Sequence, residues 1–303
     1  CTPTMDANKS VTATFTLNMY AVTGTASPVA GGTVNCTSPV NHGSMTNCTV
    51  TTNAGYTLAN ISGCGGTPGT MSPYTTGMIT GACTVTATYT QNSYLLTTVI
   101  AGTGAGTITG TGIACLGDCT ESFTHGTMVT LTQMANTGST FSGWSGACTG
   151  SGACTVTMDA VKSVTATFAL NSYVVTGTAS PMAGGSVTCT SPVNHGATTT
   201  CTVTPNAGYT LTNISGCGGT PGTMSPYTTG MITGACTVTG TYTQNSYAVT
   251  GAASPMAGGT VSCTSPVNHG ATTTCTVATN AGYTLTNISG CGGTPGTMSP
   301  YTT

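Results

Sequence analysis

"NSYVVTGTASPMAGGSVTCTSPVNHG", residues 171–196, decides how this chain is read, because it recurs almost letter for letter from Asn18 and again from Asn245. The unit it opens closes with "GMITGACTVTGTYTQ" at Gln244. A longer relative runs from Asn92 to Leu170, and residues 1–17 match its end, residues 154–170. The chain therefore reads as a closing stretch of a repeat (1–17), a repeat of 74 residues (18–91), a longer one of 79 (92–170), a second of 74 (171–244) and the first 59 residues of another (245–303). A fixed period of this length marks a tandem array. Chemistry needs one site, whereas length or surface needs copies, so the period points to a structural protein.

Within 18–91 the segments "YAVTGTAS", "TVNCTS", "TNCTVTT" and "TLANISGC" are β-rich, and "TNCTVTT" alternates with the period of two that gives one buried and one wet face. Between them stand "PVAGG", "PVNHGS" and "NAGY", turn sequences built from Pro, Asn and Gly. A Gly/Pro/Ser loop over 65–77 precedes "MITGACTVTATYTQ", which supplies the last strand or pair of strands. No segment sustains a 3.6-residue period, so helix is expected to be almost absent. The boundary "TYTQNSY" holds neither Pro nor Gly. Two or three residues between the last strand of one repeat and the first of the next predict stiff joints.

Charged residues make up 2% of the 303 residues, against about 25% in a typical soluble domain. Two lysines, no arginine and a net charge of −2 leave no basic patch for nucleic acid and little self-repulsion against association. No apolar run reaches the length of a membrane span. The sequence opens on neither Met nor a signal peptide, which is expected of a processed or trimmed product.

Sixteen cysteines at repeated positions predict a disulfide framework formed in an oxidising compartment, outside the cell. Zinc sites want close pairs arriving in twos, and "CLGDC" (115–119) has no second pair of its kind. In the short repeats the pairs flanking a turn are Cys36–Cys48, Cys189–Cys201 and Cys263–Cys275. Cys64–Cys83 and Cys217–Cys236 tie the fourth strand to the last. In the longer repeat the expected pairs are Cys115–Cys119 and Cys148–Cys154. Small modules with thin cores need such staples.

The longer repeat reads "GTGAGTITGTGIACLGDCTESFTHGTMVTLT", then "FSGWSGAC", then "CTVTMDAVKSVTATF". It resembles the divergent InlB B-repeat family of bacterial surface proteins. The short repeats resemble a sister form through "NAGYTL", "ISGCGG" and "TGMITGACTVTATY". The resemblance implies a compact β-grasp-like module used in tandem on extracellular stalks, adhesins and fibres. The chain departs from the usual pattern in its load of cysteine and its scarcity of Lys and Asp.

Few residues suit chemistry. His42, His195 and His269 in "NHG" and His125 in "THG" recur once per repeat, either as a metal stripe or as turn residues carried with the repeat. Asp6/Lys9 and Asp159/Lys162 suit local ion pairs. Asp118 and Glu121, with His125, are the one carboxylate pair, and a solvated loop explains them better than acid–base work. Trp144 reads as a core or edge residue before it reads as a sugar platform. Asn8, Asn35, Asn47, Asn60, Asn213 and Asn287 begin N-x-S/T triplets, a glycan-acceptor pattern that a chain rich in Thr and Ser also produces by chance. No nucleophile–base or metal constellation emerges, so neither enzyme activity nor a cofactor is expected.

The expected fold class is all-β: a tandem array of small disulfide-stapled modules, β-grasp-like or sandwich-like. The expected function is the subunit of a bacterial extracellular filament, its partner another copy of itself; the alternative is the stalk of a surface adhesin. The cysteine arithmetic leaves Cys1 and Cys291 over. Residues 245–303 stop before their closing strand, and residues 1–17 are a closing strand with no repeat before it. Head-to-tail strand complementation is expected, with an inter-subunit Cys1–Cys291 disulfide; the alternatives are that these residues are a window of a longer continuous array, or that Cys1 is a lipid-modified N-terminus.

Overall fold

A computed structural model describes residues 2–115 and 119–303. Its described secondary structure is strand, apart from three single 3-10 turns at Val29–Gly31, Met182–Gly184 and Met256–Gly258. By contacts the chain divides into two compact units: residues up to Asn136 with Phe141–Phe168, and Thr137–Thr140 with Ala169–Thr303.

In the first unit, residues 18–91 make two three-stranded sheets. One orders Val22–Ser27, Cys83–Gln91 and Tyr56–Gly63, with Cys83–Gln91 in the middle. That strand is parallel to Val22–Ser27 and antiparallel to Tyr56–Gly63, where a bulge falls between Leu58 and Asn60. The other sheet orders Gly32–Cys36, Asn47–Thr52 and the two-residue strand Tyr74–Thr75, all antiparallel. A short ribbon of Met19–Tyr20 with Val40–Asn41 completes the repeat. "CTVTATYTQ" forms one strand over Cys83–Gln91, and "MIT" before it stays in the loop.

The alternation does what period two requires. Val85, Ala87 and Tyr89 face a core shared with Val22, Val50, Ile61 and Ile79, while Thr84, Thr86, Thr88 and Thr90 point away from it. The exposed hydroxyls pair across strands: Thr23 with Thr84 at 2.8 Å, Thr25 with Thr86 at 3.1 Å, Thr33 with Thr51 at 2.7 Å. The outer faces of both sheets stay wet without charge. Inward tyrosines satisfy their polar ends on the backbone, Tyr74 donating to the Gly63 carbonyl at 2.7 Å and Tyr89 to that of Thr51 at 2.8 Å. Burial pushes both phenols up from their usual range, so they remain donors.

Residues 92–170 build a larger version with two four-stranded sheets. One orders Ile113–Cys115, Gly106–Gly110, Met128–Ala135 and Cys154–Thr157. The other orders Cys119–Thr124, Ser93–Gly102, Lys162–Leu170 and Ser139–Gly146. Again the first and last long strands, Ser93–Gly102 and Lys162–Leu170, lie side by side and parallel. Leu96, Ile108, Leu131, Trp144, Met158 and Phe168 fill the core.

In the second unit, residues 171–244 repeat the smaller design, with Val175–Ser180, Cys236–Gln244 and Tyr209–Gly216 in one sheet and Gly185–Cys189, Thr200–Pro205 and Tyr227–Thr228 in the other. Residues 245–303 keep the second sheet, Gly259–Cys263, Thr274–Thr279 and Tyr301–Thr302. The first is missing: residues 249–254 and 283–290 form no regular strand. Their sister segments flank the central strand in the complete repeats. Without that strand each flank lacks its pairing partner, which is why neither becomes regular.

Candidate functional sites: staples, joints and polar clusters

Among the described residues seven disulfides close. Cys36–Cys48, Cys189–Cys201 and Cys263–Cys275 face each other across a ladder, each pair with Cα atoms 4.0 Å apart. Cys64–Cys83 and Cys217–Cys236 fasten the head of the central strand, with Cα atoms 5.4 Å apart. Cys115–Cys119 and Cys148–Cys154 close short loops in the longer repeat. Cys64 and Cys217 have φ of 48° and 47°, a left-handed conformation unusual for a residue with a side chain. Cys291, their counterpart, has φ of 49° and is an exposed free thiol.

By repeat alignment Cys1 and Cys291, the two cysteines left over by the arithmetic, are not counterparts of one bonded pair. Residues 9–17, "KSVTATFTL", align with Lys162–Leu170 and with Cys83–Gln91. Lys9, not Cys1, therefore corresponds to Cys83, the partner of the Cys64 that Cys291 repeats. Cys1 corresponds to Cys154, which lies in the other sheet and bonds Cys148. Cys1 itself lies outside the described residues.

The joints are built by a residue that the sequence reading passed over. Between Cys83–Gln91 and Ser93–Gly102 stands the single residue Asn92. Its N–H donates to the Gly55 carbonyl of the repeat before it at 2.8 Å, and its Oδ1 accepts from Thr57 at 2.6 Å. Its carbonyl accepts from the His125 N–H of the repeat after it at 2.8 Å. Gln91 Nε2 donates to the His125 carbonyl at 3.1 Å. The His125 ring lies over Gly55, where a Cβ would enter the ring and where φ is +80°, so two constraints demand glycine there. The ring also meets Tyr94 edge-on, centroids 6.0 Å apart. The second unit makes this clasp twice. Asn245 bonds Gly208, Thr210 and His269, and Asn171 bonds Gly138, Thr140 and His195, in each case at 2.6–2.9 Å.

His42 is exposed and has within its own repeat the bond to Asn18 and the contact with Tyr20, whereas His125, His195 and His269 are joint residues. These three do more than fill a turn, and among the described residues no group of three His, Cys, Asp or Glu could hold a metal ion. Recurrence once per repeat marks the histidines as a set, but the glycine partners of these three lie in the neighbouring repeat, beyond any local pattern.

Asp6–Lys9 and Asp159–Lys162 form ion pairs at 2.6 and 2.8 Å. The lysine hydrogen bond holds each carboxyl below its ordinary value of 3.8. Because the folded value lies below the unfolded one, the pair's contribution is present above the ordinary value and is lost as pH falls through the lowered one. Both carboxylates are exposed, so the contribution is local. Lys162→Gln should return Asp159 towards 3.8 in an NMR titration while the melting temperature at neutral pH barely moves; an unshifted titration would show that the lysine is not the cause.

Asp118 lies outside the described residues. Glu121 accepts from the Ser122 N–H at 3.1 Å, which ties it to its own strand. Trp144 is a core residue: it is 5% exposed, its Nε1 donates to the Gly152 carbonyl at 3.0 Å, and Phe141 meets it edge-on at 5.2 Å. No ring face is left for a sugar. Of the N-x-S/T asparagines, Asn8, Asn35, Asn47 and Asn287 are exposed, and Asn60 and Asn213 are half-buried in bulged strands. No described helix is long and apolar enough to cross a membrane.

No curated protein matches the chain. Among solved structures, the Bacillus anthracis TIE protein is similar with a TM-score of 0.40 at 9% identity, over 76% of this chain and 51% of that one. The chain thus spans about half the length of that structure. The divergent InlB B-repeat domain matches four times, at residues 22–93, 96–172, 175–246 and 248–303, and with nearly its whole length so covered the chain belongs to the divergent InlB B-repeat family.

Proposed function

We propose that this protein is an extracellular structural element, a bacterial surface fibre whose repeats are stapled within and clasped between. What carries the reading is the single-residue joint: the asparagine between Gln91 and Ser93 bonds backbone on both sides of it, so neighbouring repeats share no slack linker. Seven disulfides suit an oxidising exterior. The reading is of a scaffold, with neither catalysis nor a cofactor in it.

The finer reading is head-to-tail assembly of copies by strand complementation. Residues 2–17 form no strand, and Val11 and Phe15 are 73% and 91% exposed. Their counterparts Val164 and Phe168 are fully buried. In residues 245–303 a cleft of about 310 Å³ opens among Val249, Gly251, Val261, Val277, Leu285 and Ile288. Its two flanks are those that hold the central strand in sister repeats. A strand of the form V-x-A-x-F would gain two ladders there and bury its apolar face. Asn18 would then meet Gly282 and Thr284 as Asn92 meets Gly55 and Thr57. Such a contact is heterologous and propagates. Glycans on the exposed asparagines are compatible with it.

Size-exclusion chromatography of the polypeptide comprising these 303 residues tests the assembly. Multimers that grow with concentration and survive reductant are expected, and Phe15→Ala should return them to monomer. A monomer at every concentration would refute complementation and leave the adhesin-stalk reading, in which the groove takes its strand from its own chain. Multimers that reductant collapses would restore the Cys1–Cys291 bridge.

A further inference from the structure

The strands by which the chain enters and leaves each complete repeat run parallel, side by side, in one sheet. Val22–Ser27 pairs Cys83–Gln91 from Val22↔Cys83 to Ser27↔Thr88. Val175–Ser180 pairs Cys236–Gln244 from Val175↔Cys236 to Ser180↔Thr241. In the longer repeat Ser93–Gly102 pairs Lys162–Leu170 from Leu96↔Lys162 to Gly102↔Phe168. The chain arrives at the start of the first strand and departs from the end of the last. Tension along the chain therefore drags the two strands past one another along their own axes. Sliding parallel strands apart breaks all the rungs of a ladder together, whereas a load at one end of a hairpin opens them in turn.

We propose that these parallel ladders are mechanical clamps, and that the protein's further function is to hold tension along its length without yielding. Three features strengthen the clamp in the short repeats. Hydroxyl pairs bridge the sheared strands on their wet face, Thr23–Thr84 and Thr25–Thr86 in one repeat and Thr176–Thr237 and Thr178–Thr239 in the other, at 2.7–3.2 Å. The departing strand is central, so it must also leave Tyr56–Gly63 or Tyr209–Gly216. The Cys64–Cys83 and Cys217–Cys236 bonds fasten its head to that second neighbour.

The disulfides also fix how far a broken clamp can pay out. In each complete short repeat they close segments of 12 and 19 residues, which tension cannot extend while the bonds last. In the longer repeat they close only 4 and 6. Each clamp lies inside one repeat, so the inference stands whether or not copies assemble head to tail.

Force spectroscopy of the full chain held by its two ends tests it. Three rupture peaks are expected, one per parallel ladder. At an extended length of roughly 3.5 Å per residue, the length released by each short repeat should grow by about three-quarters under reductant, while that of the longer repeat should grow by less than about a quarter. The double variant Thr23→Val, Thr25→Val keeps β-branched side chains and removes the bridging hydroxyls. It should lower one short-repeat peak and leave the other two, with the melting temperature near that of the parent. Smooth extension without discrete peaks would overturn the proposal, and so would a rupture force that the double variant leaves unchanged.

Discussion

Reduction of the disulfides will unfold the short repeats ahead of the longer one, and a chelator will change nothing. The loops closed in a short repeat span 12 and 19 residues, each worth about 3 kcal/mol by loop-closure entropy. Those of the longer repeat span 4 and 6 residues, each worth about 2 kcal/mol. A short repeat thus loses about 6 kcal/mol and the longer one about 4, against a typical domain stability of about 5–15. The longer repeat also has more to fall back on, since its core holds Phe168, Trp144, Leu96 and Leu131 where the short repeats bury valines and tyrosines. Calorimetry with and without a phosphine reductant reads the size of the effect, and hydrogen exchange reads the order. A melting temperature that reductant moves no further than chelator does would defeat this account.

Phe168→Ala should cost about 3–5 kcal/mol, whereas Phe15→Ala should leave the stability of a monomer untouched. The two side chains end the same string, "KSVTATF". Phe168 is fully buried; its ring meets Phe141 with centroids 5.5 Å apart and covers Gly106 so closely that no Cβ would fit there. Phe15 is 91% exposed. Denaturant unfolding at low protein concentration measures both. Equal costs would mean that residues 1–17 are packed within the monomer, contrary to the structure.

That contrast also marks where sequence reading stops. Period two in "TNCTVTT" is sufficient to expect a strand with one buried and one wet face, and the strand Asn47–Thr52 buries Cys48 and Val50 on that one face. Turn chemistry around "PVAGG" and "NAGY" bounded its neighbours. What the string does not contain is the partner. Nothing local says that the last strand inserts between the first and the fourth, because parallel pairing joins residues about sixty positions apart. The ribbon at Met19–Tyr20 and the strand at Tyr74–Thr75 also escaped, since two residues carry no period. The joint escaped for the same reason as the parallel ladder. Asn92 and His125 belong to one repeat and Gly55 to another, and each looks like ordinary turn material in its own context. The Trp144 core assignment needed no partner and was legible, because a lone indole among Phe, Ser and Gly in a chain with one Trp had little else to do.

The asparagine clasp makes the same bonds in three settings. Asn92 heads a repeat of the longer kind, and Asn171 and Asn245 head repeats of the shorter kind. A gene duplication or deletion with its breakpoints before two such asparagines would therefore add or remove whole repeats and leave every remaining clasp intact. Length becomes a heritable variable that recombination can adjust in units of one repeat, with no compensating substitution at the seam.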